Sequence, residues 1–456
     1  MTLWQFYLGV SSVGCFILTI YTFEKRCLAP ATIFVLFYAS ATIFTPWHRV
    51  RFTDLTGYDT DFFPIATTYS LIALWALWLG YVIAPRRRYQ SSELSPFLSK
   101  DAYFWLRLAL VLLFTVRIGT MLLSGTLLED KGAGTYDGGL MRWIGHFTLL
   151  INPMFLLVLA DILVRRWRGM RADVFYLGFF SALVLLMSMA TFSRQAFVWP
   201  ALYFFLFYHS RKGFSRRQLG YCTFLVVALC VVSGLRSLGT GILNMSSGDV
   251  QQVLMDSLRD VDLTASSISA SVAGQEVFTN VLAYVPQFEG YAYGRTYWDS
   301  CVGLLLPRFL TGRFDEADIT TPASWYKNWY APDTIGHGFD FSMLAEAYMN
   351  FGSGAMVCFF GVGILVGYLS HSIRYSPSSL HVCICIAILT ALCLGLRNDS
   401  NAVVKAAFYF SVFFWGVFRF SDRGSRATGR CSGVVRGAHV ASFGLQPRDR
   451  ERQDCG

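Results

Sequence analysis

Apolar stretches of about 20 residues alternate with short polar connections along most of the chain. A helix needs roughly this length to cross a bilayer, and few of these stretches contain charged residues. We therefore predict an all-α polytopic membrane protein with about eleven transmembrane helices. The apolar runs lie at about 3–22, 27–46, 64–84, 102–124, 144–164, 174–192, 196–210, 219–235, 353–370, 380–396 and 402–420.

One long polar segment, residues 236–341, interrupts this pattern; we call it the long loop. A multi-span protein needs only short connections, so a large ordered insertion is where a membrane enzyme would assemble a site. An amphipathic helix is predicted at 250–272, and residues 342–354 look helical and lead into the next span. The predicted divisions are helices 1–8 (1–235), the long loop (236–341), helices 9–11 (342–420) and a disordered basic tail (421–456).

The composition agrees with a membrane protein, because 54% of the residues are hydrophobic and only 15% are charged. A soluble domain carries about 25% charged residues. The net charge of +9 comes from short basic clusters between apolar runs, which is typical of cytoplasmic membrane loops and excludes a nucleic-acid partner. The first run lacks the features of a cleaved signal, so we expect a first span. No metal-ligand spacing or disulfide framework appears, and we expect no cofactor.

The placement of lysine and arginine predicts the orientation of the spans. With the N-terminus outside, the predicted inner loops carry basic clusters such as Arg86–Arg88, whereas the outer short loops carry few basic residues. The long loop and the short turns at 193–195 and 397–401 then face outward. The N-terminus is therefore predicted to be periplasmic, and the tail from Ser421 to be cytoplasmic.

Arginines on the predicted outer side are candidate ligands for phosphate. A guanidinium binds phosphate through two hydrogen bonds and keeps its charge near a bilayer. Several arginines at one cavity would hold a lipid pyrophosphate and stabilise it as a leaving group without a divalent ion. Lipid headgroup contacts or local ion pairs, such as Arg397 with Asp399, are the alternative. Arg194 and Arg397 stand out because each lies in a very short turn between spans. The candidates are Arg194, Arg236, Arg295, Arg308 and Arg397.

Candidate acid–base residues are His337, Glu346 and Asp399. Histidine has an unperturbed pKa near 6.5, which suits acceptance of a hydroxyl proton, although an ordinary exposed loop histidine fits His337 equally well. Glu346 lies in an apolar context, where a carboxylate needs a partner.

Tyrosine and tryptophan cluster in the long loop, at 289–298 and 325–330. The flat faces of these rings suit stacking on sugars. An interfacial aromatic belt, which membrane proteins have whatever their function, is the alternative for this cluster.

Several short motifs together resemble those of the O-antigen polymerases (Wzy). They are Gly294-x-x-Tyr297, Leu305-Leu306-Pro307-Arg308, and Ser342-x-x-x-Glu346-x-Tyr348-x-Asn350-Phe351-Gly352-x-Gly354. Ser193-Arg194 also resembles a Ser-Arg turn common to those polymerases and the related O-antigen ligases. The chain departs from the ligases at His337-Gly338, where they usually carry His-Asn, which weakens a base role for His337.

The resemblance implies glycosyl transfer at the periplasmic face of the bacterial inner membrane. A growing glycan on undecaprenyl pyrophosphate would move onto a free sugar of an incoming lipid-linked repeat unit, and lipid pyrophosphate would leave. Membrane lipids are implied partners, and a chain-length regulator protein is left open as another.

Residue roles follow from this resemblance as hypotheses. Arg194 and Arg397 would hold the pyrophosphate with one or more of the other candidate arginines. His337 or Glu346 would orient or deprotonate the acceptor hydroxyl, and Tyr297 would contact the substrate.

Two other functions remain open at this point. An O-antigen ligase performs the same chemistry but transfers the glycan to a lipid A core. A polysaccharide or lipid-linked oligosaccharide transporter would place charges along its spans and break helices at mid-membrane, whereas these spans are nearly free of charge.

Overall fold

The chain is helical in the computed structural model, and every regular element among the described residues is a helix. The described residues are 2–25, 29–44, 46–47, 60–86, 98, 100–123, 150–167, 275–305, 341–396 and 400–436, with isolated residues between 175 and 208 and at 322, 325 and 326. The predicted all-α class is therefore confirmed for this part of the chain.

Eleven α-helices lie in the described part of the chain. The first five are α1 (Leu3–Glu24), α2 (Pro30–Ala39, extended by a π-helical turn Ser40–Phe44), α3 (Phe63–Ile83), α4 (Lys100–Leu123) and α5 (Ile151–Trp167). The next six are α6 (Gln275–Tyr284), α7 (Arg295–Leu305), α8 (Met343–Phe351), α9 (Ala355–Tyr375), α10 (Ser379–Gly395) and α11 (Ser400–Arg436).

Five helical segments among the described residues are long and apolar enough to cross a membrane, which agrees with the predicted membrane class. They are Leu3–Glu24, Phe63–Ile83, Asp101–Gly119, Met343–Tyr375 and Ser400–Arg419. Two shorter apolar helices, Pro30–Phe44 and Ser379–Gly395, coincide with two further predicted runs. A count of about eleven spans stays a prediction, because the predicted runs at 174–192, 196–210 and 219–235 fall wholly or largely outside the described residues.

Helices α1, α3 and α9 run parallel. The Gln5 side chain donates to the carbonyl of Pro64 at 2.8 Å near the two helix starts, and Tyr81 donates to Glu24 at 2.9 Å near the two helix ends. Helix α3 also touches α9 backbone to backbone: a Cβ at Gly80 would lie 2.1 Å from the carbonyl oxygen of Phe360, and one at Gly363 would lie 2.1 Å from that of Leu77. Small residues permit such close packing of helices in membranes.

A buried carboxylate joins these three helices where they end. Oε1 of Glu24 accepts hydrogen bonds from the Tyr81 hydroxyl at 2.9 Å and from the Ser370 hydroxyl at 2.6 Å. Ser370 in turn accepts from the backbone N–H of Ala31 at 3.1 Å, at the start of α2. Elements from four helices thus meet at this end of the bundle.

The opposite end, where α3 and α9 begin, carries helices α6, α7 and α8; we call it the loop end. Ring contacts place Phe278 of α6 and Tyr348 of α8 against Tyr69 of α3, with centroids 6.2 and 5.2 Å from the Tyr69 ring. Helices α9, α10 and α11 pack consecutively, and α10 returns the chain so that Ser400, the first residue of α11, lies at the loop end.

The C-terminal tail differs in part from the prediction. Disorder was predicted from residue 421, whereas α11 continues to Arg436. The segment 421–436 contains no proline, so nothing in its covalent structure forces the helix of the last span to end there. Residues 437–456 lie outside the described part.

Candidate functional site

Three consecutive backbone N–H groups in a turn at residues 291–294 donate hydrogen bonds to helix α8. Ala292 donates to the Met349 carbonyl at 3.0 Å, and Tyr293 donates to the Asn350 carbonyl at 3.0 Å. Gly294 donates to Oδ1 of Asn350 at 2.9 Å. The turn that opens α7 is therefore fixed against the C-terminal end of α8.

Asn350 uses its whole amide group in this arrangement. Its Nδ2 donates to Oγ1 of Thr296 at 2.7 Å and to the Glu346 carbonyl at 2.8 Å, while its Oδ1 accepts from Gly294. The side chain is fully buried. A buried amide that satisfies both donors and its acceptor holds one geometry, since any other would leave polar groups unpaired.

Glu346 is also fully buried, with 0% of the residue exposed, and its two carboxylate oxygens join three helices. Oε1 accepts from the Thr296 hydroxyl of α7 at 2.8 Å and from the Ser400 hydroxyl of α11 at 2.7 Å. Oε2 accepts from the backbone N–H of Ser400 at 2.6 Å. A carboxylate is favoured at this position because the first N–H groups of a helix have no partner within the helix and carry partial positive charge.

Helix α7 carries both buried and exposed side chains at this site. Thr296, Asp299 and Ser300 are buried, and the Ser300 hydroxyl lies 3.0 Å from that of Ser400. The Arg295 side chain is 67% exposed, and its Nε lies 3.8 Å from Oδ2 of the buried Asp299. The predicted phosphate ligand Arg295 is therefore accessible at the edge of the network.

The predicted substrate contact, Tyr297, stacks on Phe351, with ring centroids 6.0 Å apart and an interplanar angle of 21°. Burial raises the pKa of the Tyr297 hydroxyl, and the nearby charge of Glu346 raises it further. The phenol therefore stays protonated at physiological pH and can donate a hydrogen bond.

The aromatic residues of the long loop divide into buried and exposed members. Trp325 and Tyr326 are buried, and each is held by a hydrogen bond: Trp325 Nε1 donates to Glu289 at 2.5 Å, and Asn280 Nδ2 donates to the Tyr326 hydroxyl at 2.5 Å. These two rings are packing residues and are not available to a sugar. Among the described residues of the segment, the exposed large aromatic side chains are Phe288, Tyr293 and Trp298.

The structure places three of the eight predicted site residues at the loop end. They are Arg295, Tyr297 and Glu346, and the network brings α7, which carries the first two, against Glu346. The other five lie outside the described residues, and their roles stay predictions: Arg194, Arg236, Arg308, His337 and Arg397.

Sequence reasoning missed the partners of Glu346. Thr296 and Ser400 are separated from it by 50 and 54 positions, and no spacing rule connects residues so far apart. Asn350 was detectable in principle, because it lies four residues after Glu346 on the same helix and residues four apart share a helix face.

Comparison with known proteins identifies a family for most of the chain. The family described as O-antigen polysaccharide polymerase Wzy matches residues 3–421, which is most of the chain and includes all eight predicted site residues. No curated protein and no solved structure gives a match. Apolar helices suited to a bilayer and a polar network at the loop end are consistent with a membrane-bound polysaccharide-forming enzyme. The chain belongs to the O-antigen polysaccharide polymerase Wzy family.

Proposed function

We propose that this polymerase joins oligosaccharide repeat units carried on undecaprenyl pyrophosphate, at the periplasmic face of the inner membrane. The family match over residues 3–421 carries the proposal. The network around Glu346 supports it, because it ties the accessible Arg295 helix to the start of α11. Arg397, the second arginine in a short predicted turn, lies three residues before Ser400 in the sequence.

The proposed step is one glycosyl transfer. The acceptor hydroxyl oxygen attacks C1 of the donor glycan and forms the new glycosidic bond. The bond from C1 to the pyrophosphate oxygen breaks, and its electron pair leaves with undecaprenyl pyrophosphate. The hydroxyl proton passes to a base, for which His337 is the candidate.

The arginines would act on the leaving group. Arg194 and Arg397, with one or more of Arg236, Arg295 and Arg308, would hold the pyrophosphate and stabilise the negative charge that it gains. Of these, Arg295 lies in the described part, where its side chain is 67% exposed and its Nε lies 3.8 Å from Oδ2 of Asp299.

We assign Glu346 a positioning role. It is fully buried, and both of its oxygens already accept hydrogen bonds from Thr296 and Ser400. A substrate hydroxyl would have to displace these partners before this carboxylate could accept its proton. Its task in this proposal is to hold α7 and the start of α11 in one relative position.

The test compares surface polysaccharide from strains that lack the native copy and express single variants. R194A and R397A should each abolish the long-chain ladder on gels and leave single repeat units attached to lipid A core. The matched control is R166A, which removes an exposed arginine at the C-terminal end of α5 and should leave the ladder unchanged.

Three results would contradict the proposal. Unchanged ladders in both R194A and R397A, at normal expression, would remove the arginine assignment. Loss of even the single repeat unit when the gene is deleted would identify a ligase. Accumulation of lipid-linked units on the cytoplasmic side would identify a transporter.

A further inference from the structure

We infer that Tyr293 is a stacking platform for a sugar ring of the lipid-linked oligosaccharide. The inference rests on the proposed function and deepens it, because it names a residue that would recognise the glycan part of the substrate. Three observations carry it: the backbone conformation of Tyr293, its exposure and its distance along the chain from Arg295.

Tyr293 has a backbone conformation that side chains other than glycine rarely adopt. Its φ is +45°, and the next residue, Gly294, has φ +85°. A bulky side chain in this region is unfavourable because Cβ approaches the following carbonyl oxygen. Glycine or asparagine would occupy the position more easily, so the tyrosine has no conformational advantage here.

The surrounding hydrogen bonds impose this conformation. The N–H groups of Ala292, Tyr293 and Gly294 all donate to Met349 or Asn350, and the Asn350 amide is itself fully paired and buried. The turn therefore cannot relax without breaking a buried network. Strained residues held in this way occur mainly at functional sites.

Packing does not compensate for the strain. Tyr293 is 80% exposed, and its ring meets Tyr291 edge-on, with centroids 6.3 Å apart and an interplanar angle of 77°. One face of the ring is thus left accessible. Neither burial nor backbone preference accounts for an aromatic side chain at position 293. We therefore explain it by the ligand that the accessible face of its ring binds.

The neighbouring groups point to a glycan next to an anion. Arg295, a proposed pyrophosphate ligand, is exposed two residues along the chain. The Tyr291 ring, which Tyr293 meets edge-on, also packs against Tyr348 of α8, with ring centroids 6.1 Å apart. A membrane aromatic belt does not account for Tyr293, because a belt residue needs no left-handed backbone and exposed Phe288 at the same end has none.

The decisive variants suit the left-handed backbone conformation at position 293 and lack the aromatic ring. Y293N and Y293G remove the ring and suit the left-handed conformation, whereas Y293F retains the ring. The substrate is the lipid-linked repeat unit extracted from a host that lacks this polymerase, and the purified protein in detergent is tested for turnover and thermal stability. F288A is the control for loss of an exposed aromatic ring at the same end.

We expect Y293N and Y293G to be at least as stable as wild type and to raise KM about tenfold, as for loss of one aromatic contact. Y293F should stay within about twofold of wild type, and so should F288A. The ladder on cells expressing Y293N should be shortened.

Four outcomes would overturn the inference. They are an unchanged KM in Y293N, a lower stability of Y293N than of wild type, an equal loss in Y293F, and an equal loss in F288A. Wild type, R194A and R397A assayed in parallel separate this failure from failure of the proposed function. If wild type joins the lipid-linked units, the arginine variants lose turnover and Y293N keeps the wild-type KM, only the platform is wrong. If wild type does not join the lipid-linked units, the proposed function is wrong as well.

Discussion

Glu346→Gln separates a positioning carboxylate from a catalytic base. The substitution keeps the shape of the side chain and removes its charge and one acceptor atom. The backbone N–H of Ser400 cannot turn away, so the remaining amide oxygen should take the place of Oε2, 2.6 Å from that nitrogen. The new amide N–H groups then face the hydroxyls of Thr296 and Ser400, which lie 2.8 and 2.7 Å from Oε1.

The loss of stability expected for Glu346→Gln follows from the hydrogen bonds that those two hydroxyls lose. Each can rotate to accept from the amide, but each then loses the acceptor for its own proton. The Thr296 oxygen also already accepts from Asn350. Loss of a hydrogen bond to a buried charged group costs about 1–3 kcal/mol, and we expect Glu346→Gln to destabilise the protein by that amount. Glu346→Ala removes every acceptor and should cost about 3–5 kcal/mol.

The assay pairs thermal unfolding in detergent with the rate of polymerisation and its pH profile. A positioning role predicts a lower unfolding temperature, a rate within about tenfold of wild type at a permissive temperature and an unchanged pH profile. A general base contributes about 10²–10⁴-fold to a rate. An unaltered unfolding temperature together with a loss of polymerisation rate of that size would refute the positioning role. Glu289→Gln is the matched control, since that carboxylate holds Trp325 in the same region.

Three further substitutions test the packing of the fold by thermal unfolding in detergent. Gly352→Ala should destabilise by about 2 kcal/mol or more, because φ is +57° and a Cβ would lie 2.7 Å from the Tyr291 ring. Gly363→Ala should do the same by separating α3 from α9, whereas the control Gly361→Ala, with open space around its Cβ, should be neutral or stabilising. Tyr81→Phe removes a donor to the buried Glu24 carboxylate and should cost about 1–3 kcal/mol; an unchanged midpoint would contradict this role.

The site could be predicted from sequence only in its parts. The apolar context of Glu346 predicts a partner for its carboxylate, and among the described residues Thr296 and Ser400 donate hydrogen bonds to it. Those hydroxyl residues are common, and nothing in their local sequence marks them as ligands of a distant carboxylate. The aromatic cluster was likewise visible, yet sequence did not separate the buried Trp325 from the exposed Tyr293.

The sequence by itself determined the membrane class and the positions of the long apolar helices in the described part of the chain, because a bilayer requires an unbroken apolar run of about 20 residues and that requirement is local. It also predicted that the long loop would hold the chemistry. Only the tertiary structure decided that Glu346 joins α7 to α11, and that Tyr293 is held in a left-handed conformation by Asn350. Both depend on contacts between residues 50 or more positions apart, which the spacing of residues along the chain does not encode.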